Sequence, residues 1–261
     1  MSSPVPIIMH GAAGRMGRAI LALALAEPVR FTVIAGVDRQ AGTLRALGLD
    51  SAAPVLTALP VEPGAVVIDF SHHGTFASVA AHCAAHGMGL ASGTTGIAPA
   101  VLDTALDAAA GRAAVLHAMN MSVGVNVVFK VAAQIAKTLG VAYDIEIVEA
   151  HHHHKKDAPS GTAFGIADAI TAATGRTRAD LVHGREGEVG ARRQGEIGMH
   201  ALRMGDVVGD HTVYFVGGGE RITLGHVAHN REIFAQGALR AATFLGSARP
   251  GRYRMADVLG L

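Results

Sequence analysis

Residues 5–38 read VPIIMHGAAGRMGRAILALALAEPVRFTVIAGVD, and the fold turns on this stretch. A short apolar run over 5–9 leads to Gly11. Helical character follows over Arg15–Ala26 and stops at Pro28, whose ring and missing N–H end a helix. Phe31–Val37 is β-branched and apolar and closes on Asp38. The alternation then continues: strand-like 65–70, helical 75–86, strand-like 88–91, helical 103–110 and strand-like 113–117. Continuous apolar strands separated by helices predict a parallel sheet covered on both faces.

The pattern changes after Asn120. Val123–Leu139 is a long amphipathic helix ending at Gly140, and 143–150 alternates Ile with Glu as a half-exposed strand does. A helix over 163–173 closes at Gly175, and the polar, Gly-rich residues 176–194 predict a long loop. Three strand-like runs, Ile197–Arg203, 211–216 and 221–229, are separated by turn residues and predict antiparallel pairing. A last helix covers 231–245. The expected class is α/β: a Rossmann-type domain of residues 1–120 plus 231–261, with an inserted α+β domain over 121–230.

The chain has 261 residues, 50% of them hydrophobic, which is enough for a sizeable core in one or two domains. A formal net charge of +1 gives no basic field for nucleic acid. Cys83 stands alone, so no internal disulfide forms and a reducing compartment, the cytoplasm, is expected. The N-terminus does not read as a secretion signal, and no run of 18 or more apolar residues lacks Gly or charge, so no membrane span is expected. The 15 His residues are the compositional oddity.

Gly11-Ala12-Ala13-Gly14-Arg15-Met16-Gly17 is G-x-x-G-x-x-G, not the strict G-x-G-x-x-G. It meets the same needs: a tight turn, close backbone approach to a pyrophosphate, and a helix start facing the anion. A plain turn of small residues reads the same way. Asp38 follows about 20 residues on, where an acid bonds the adenosine ribose hydroxyls. Arg39, next to it, suits a 2′-phosphate, so the pair predicts tolerance of both NADH and NADPH; a surface Asp-Arg turn is the alternative. Gly93, Thr94 and Thr95 follow another strand, as do Ala118, Met119 and Asn120, where ligand-contacting loops of an open α/β sheet lie. Ordinary turns also occur there.

The run EAHHHHKKDAPSGTA over 149–163 carries the most chemistry. An internal purification tag, a zinc site and a cationic catalytic loop are three readings of it. No Cys or clear third-ligand partner supports the metal, so none is expected. Imidazoles and ammoniums together bind carboxylates and donate protons near neutral pH. Ser160 reads as an N-cap, with Gly161 and Thr162 offering amides and a hydroxyl at the helix start. A cap and nothing more is the plainer reading of that triplet.

With these residues in hand, the chain resembles the 4-hydroxy-tetrahydrodipicolinate (dihydrodipicolinate) reductase family. The resemblance rests on GAAGRMG (11–17), SGTTG (92–96), NMSVGVNV (120–127), EAHHHHKKDAPSGTA (149–163) and REG (185–187), in family order over nearly the whole chain. It implies NADH- or NADPH-dependent reduction of a small dicarboxylate in lysine and diaminopimelate biosynthesis. It implies His151 as acid/base, Lys155 as proton donor, and His152, Gly161 and Thr162 as substrate contacts. It puts cofactor contacts at Gly11, Ala12, Ala13, Gly14, Arg15, Met16, Asp38, Arg39, Gly93, Thr94, Thr95, Ala118, Met119, Asn120 and Met121. It also implies a homotetramer built through the sheet of the inserted substrate-binding and oligomerisation domain. There are departures: His72 stands where relatives often carry Arg, which weakens any strong NADPH preference, and Met121 replaces a frequent Phe. The same layout also suits another small-molecule dehydrogenase or a non-catalytic dinucleotide sensor.

Overall fold

The structure, a computed structural model, describes residues 3–261. The chain forms two compact units: one runs to Ser122 and resumes over Glu232–Gly260, and the other spans Val123–Arg231. The first unit opens with β1 (Val5–His10), α1 (Arg15–Ala26), β2 (Phe31–Val37), β3 (Gly42–Thr43), β4 (Pro54–Leu56) and β5 (Val66–Asp69). It continues with α2 (Phe76–His86), β6 (Gly89–Ser92), α3 (Pro99–Ala110) and β7 (Ala114–His117). The second unit holds α4 (Val123–Leu139), β8 (Asp144–His151), α5 (Gly161–Thr174), β9 (Leu181–His183), β10 (Ile197–Arg203), β11 (Asp210–Val216) and β12 (Arg221–Val227). The chain then returns to the first unit as α6 (Glu232–Leu245), β13 (Gly251–Tyr253) and α7 (Met255–Leu259).

Among the described residues the first unit has an eight-stranded sheet in the order β13-β7-β6-β5-β1-β2-β4-β3. The chain steps outward from β1 through β2 to β4, then returns beside β1 as β5 and proceeds the other way. This is the doubly wound order, and its switch point leaves a crevice beyond the carboxyl ends of β1 and β5. Alternation along β1 divides the core. Ile7 and Met9 pack with Ile20 and Leu21 of α1 and Leu239 of α6. Ile8 points the other way, toward Phe76 of α2 and Leu106 of α3. Two-sided burial is why these strands read as unbroken apolar runs.

Short edge strands escape sequence reading. β3 and β13 have two and three residues, too few to show a period. The third helix also starts four residues earlier than the expected 103, at Pro99, because proline suits a first helical position.

The second unit has a five-stranded sheet ordered β12-β11-β8-β10-β9. Ile145 and Ile147 of β8 and Val213 and Phe215 of β11 pack under Val128 and Ala132 of α4 and Ile166 and Ile170 of α5. The residues 123–142 are apolar enough to cross a membrane by length and composition. Here one stripe of the helix, with Val128, Ala132 and Ala136 buried, meets the sheet, and Lys130, Gln134 and Lys137 are exposed.

Two expectations need correction. β11 and β12 do pair antiparallel, but β10 does not join them; it runs parallel to β8, which lies between β10 and β11. The cause is long-range pairing at the end of β8. Met204 N donates to His151 O at 2.9 Å and His152 N donates to Val207 O at 2.7 Å, so the β10–β11 connection wraps around the His-rich segment. The loop expected over 176–194 also contains β9, paired parallel with β10. Positive φ at Gly184, Gly187 and Gly190 turns the rest of that loop.

Candidate active site

The glycine loop emerges at the crevice of the first unit. Gly11 has φ of 86°, and a Cβ there would sit 2.5 Å from Phe70 O on the loop after β5. Gly14 takes the N-cap position of α1 without a side-chain cap, so the first-turn amides of α1 are not capped by a side chain. Gly17 is buried where α1 crosses the loop. Asp38 Oδ2 accepts from Ala13 N at 2.8 Å, and its other oxygen accepts from Arg39 N at 2.8 Å. Asp38 therefore ties the end of β2 to the glycine loop. Ala13, Asp38, Arg39, Gln40, Gly42 and Thr43 line a cavity of about 650 Å³. A tight left-handed glycine, an uncapped helix start, an acid and a cavity beside it fit the adenosine and pyrophosphate end of a dinucleotide.

Beneath the neighbouring loops lies a polar knot absent from the sequence reading. Asp69, fully buried at the end of β5, accepts from His10 Nδ1, Ser71 Oγ, Ser92 Oγ and Thr94 Oγ1 at 2.6–2.8 Å. Burial raises its pKa, but these four donors outweigh it and hold the carboxyl below its ordinary value. The Thr94 hydroxyl is thus turned inward, and the same knot holds the strand-end backbone: Gly93 N donates to Asp69 O at 2.9 Å and Thr94 O meets His117 Nε2 at 2.8 Å. Met121 is likewise buried, inside the core of the first unit, while Met119 is exposed and Ala118 and Asn120 are half-buried. A charged residue ending an apolar strand, at 69 as at 38, was the available signal for Asp69.

In the second unit, β8 delivers His151 and the turn after it delivers His152 and Lys155. His151 Nδ1 lies 2.6 Å from Glu149 Oε2. Glu149 is 1% exposed. Arg203 at the end of β10 grips it with two bonds of 2.9 Å, one to each oxygen. Ser160 N donates to Glu149 Oε1 at 2.9 Å. Ser160 in turn caps α5, its Oγ accepting from Ala163 N at 3.1 Å. Gly161 and Thr162 are the first helical residues, with Gly161 exposed. Lys155 Nζ pairs with Asp157 Oδ2 at 2.9 Å, and Asp157 is 63% exposed, so the ammonium is held without being sealed off. Burial, with Arg231 and His154 close by, holds His152 below the ordinary imidazole value, and its buried Nδ1 has no hydrogen-bond partner among the described residues.

Five site residues expected from the sequence therefore gather at one end of β8: His151, His152, Lys155, Gly161 and Thr162. Glu149, Arg203 and His211 join them unannounced. Glu149 was visible as an acid of the Ile-Glu alternation and as the first residue of the run over 149–163, without a role of its own, and Arg203 only as the last residue of a strand. Among the described residues no group of three His, Cys, Asp or Glu gathers to hold a metal ion.

Family models match both halves of the chain: the dihydrodipicolinate reductase N-terminus over residues 5–121 and its C-terminus over 124–259. The chain belongs to the dihydrodipicolinate reductase family. A 4-hydroxy-tetrahydrodipicolinate reductase of Myxococcus xanthus (strain DK1622) is 46% identical over 266 residues, covering 97% of this reductase and 97% of its own length. One from Anaeromyxobacter dehalogenans (strain 2CP-C) is 46% identical over 268 residues, covering 98% and 97%. The dipicolinate-bound dihydrodipicolinate reductase from Paenisporosarcina sp. TG-14 shares the fold, with a TM-score of 0.73 at 21% identity and coverage of 97% and 98%.

In this reductase His211 lies under the site, 4% exposed, with Nε2 2.9 Å from Ser160 Oγ. Burial, with nearby His151 adding to it, pushes its pKa down to about 4. The unfolded chain returns it to about 6.5, so the unfolded state takes up the extra proton between those values. This group's contribution is intact above pH ~6.5 and is lost as pH falls through ~4, a loss of up to roughly 3 kcal/mol. His211→Gln cannot titrate and is expected to lose stability less steeply over that window. Urea unfolding at pH 7 and pH 4.5 checks it; equal pH sensitivity in both proteins refutes the assignment.

Proposed function

We propose that the chain catalyses NADH- or NADPH-dependent reduction of 4-hydroxy-tetrahydrodipicolinate, or its dehydrated form, to tetrahydrodipicolinate in lysine and diaminopimelate biosynthesis. The observation that carries this reading is the capped start of α5 beside His151, His152 and Lys155, in a chain matched by the family from residue 5 to 259. The first unit takes the role of dinucleotide-binding domain and the second that of substrate domain. A bound nicotinamide supplies the hydride. The Gly161 and Thr162 amides, with His152 and Lys155, hold the substrate carboxylates, since a helix start and cations both favour anions. His151 donates or takes up a proton. Lys155 neutralises developing negative charge and donates a proton. A coupled assay, with synthase-generated substrate and either NADH or NADPH, tests the reading; no oxidation of either cofactor would overturn it.

Both cofactors are expected to serve. Asp38 favours a free ribose hydroxyl, whereas Arg39 favours a phosphate in the same cavity. Arg39→Ala is expected to raise KM for NADPH about tenfold, the worth of one exposed charged contact. KM for NADH should stay within a factor of about two. An equal change for both cofactors would make Arg39 structural.

The working form in this reading is a cytoplasmic homotetramer assembled through the second sheet. One sheet face packs on α4 and α5; the other carries Val148, Leu202, Tyr214, Val216 and Val227, of which Leu202 is 46% and Val227 56% exposed. An open sheet face of this kind suits burial against another copy. Light scattering of the purified protein decides the subunit count.

A further inference from the structure

We propose that Glu149 is the positioning residue of the reaction: one buried carboxylate that aims His151 and anchors the helix start receiving the substrate. The inference rests on the reading of His151 as the acid/base group and of α5 as the carboxylate site.

Glu149 lies on β8 two residues before His151, so both side chains leave the same side of the strand. One carboxylate oxygen meets His151 Nδ1 at 2.6 Å, and the other takes the Ser160 amide at 2.9 Å. Arg203 bonds both oxygens at 2.9 Å and reaches on to Asp157 O at 2.6 Å. All principal acceptor directions of the carboxylate are thus used. Burial raises its pKa, yet the Arg203 fork, His151 and the Ser160 amide overcome this and keep the group below the ordinary carboxylate range. Glu149 is therefore an anion that accepts hydrogen bonds and has no proton to give.

An ionised partner on Nδ1 settles which nitrogen of His151 does chemistry. Nδ1 keeps its proton toward Glu149, and Nε2 is the nitrogen that exchanges a proton with the substrate. The proton balance is simple. Imidazolium gives the Nε2 proton to the substrate, becomes the neutral Nδ1–H tautomer, and is recharged from solvent. Glu149 never changes protonation. Its second oxygen, through Ser160 N, sets where α5 begins and so where the Gly161 and Thr162 amides point. Proton donor and carboxylate cradle are fixed to the same rigid group, which limits how far their spacing can wander.

The proposal separates charge from reach. Glu149→Asp keeps the charge for Arg203 but is one methylene too short to meet His151 and Ser160 together. Glu149→Gln keeps the length but loses the charge. Both are expected to lower kcat about 100-fold, as loss of a group that orients a catalytic residue does. NADH affinity, read by fluorescence titration, should stay within about twofold. Thermal stability should fall in Glu149→Gln and be largely restored in Glu149→Asp, without restoration of kcat. The nitrogen-15 spectrum of neutral His151 in the wild-type protein should show the Nδ1–H tautomer, and the variants should show a mixture.

A kcat within threefold of wild type in Glu149→Asp overturns the proposal. So does a parallel loss of kcat and NADH affinity, which marks a merely structural role. If neither variant folds, the wild-type spectrum decides: an Nε2–H tautomer overturns it. The functional reading fails separately. A wild-type chain that oxidises neither cofactor refutes that reading, while the tautomer still reports whether Glu149 holds His151.

Discussion

Replacing His151 by glutamine, or Lys155 by alanine, is expected to lower kcat by roughly 100- to 10,000-fold, the usual worth of a general acid–base group. NADH affinity should be nearly unchanged, because both residues belong to the second unit and the glycine loop to the first. The two losses should differ in form. His151→Gln keeps the cationic neighbours, so KM for the dicarboxylate should move little. Lys155→Ala removes a cation from the carboxylate site and frees Asp157, whose charge then repels the substrate; KM should rise with the fall in kcat. Steady-state kinetics with synthase-generated substrate, alongside NADH titration, measures both. Near-normal turnover in both variants would remove these residues from the mechanism. A matched loss of NADH binding would instead mean that the substitutions disturb the whole fold.

The second large effect is expected at Gly17. A methyl group there would overlap the Gly11 carbonyl oxygen and come within 2.9 Å of Ala12 Cα. Those are backbone atoms of the glycine loop, which cannot rotate aside as a side chain would. The cost lies at or above the upper end of ordinary overpacking, about 3 kcal/mol. If α1 yields by pushing the loop off its position, the same energy appears as an NADH affinity about 100-fold weaker. Gly14→Ala is the control: its nearest contact would be the Gly11 oxygen at 3.2 Å, so the expected loss is much smaller. Thermal melts and NADH titrations of the two variants, side by side, test the ordering. Equal effects would show that the loop tolerates substitution and that its glycines are not chosen for close approach.

The opening strand, loop and helix of the first unit were legible because each is local. Apolar runs, a proline stop and glycines within residues 5–38 act on near neighbours in the chain, and steric and hydrogen-bonding limits there leave few alternatives. The run over 149–163 was legible for a different reason. Its residues are contiguous, and their chemistry shows without any knowledge of how they pack. By itself, then, the sequence determined the doubly wound domain, the capped helix start and the cationic segment.

The tertiary structure decided what depends on partners distant in sequence. β8 lies between β10 and β11 because backbone bonds from 151–152 meet 204–207, and no local period encodes such a pairing. The same pairing carries Arg203 to Glu149, 54 residues away in the chain, and so makes a carboxylate in an ordinary strand alternation the anchor of His151. Asp69 follows the same rule, since its donors come from the ends of β1 and β6 and from the loops that follow β5 and β6. A buried charge survives only when enough donors converge on it, and only the folded chain brings them together.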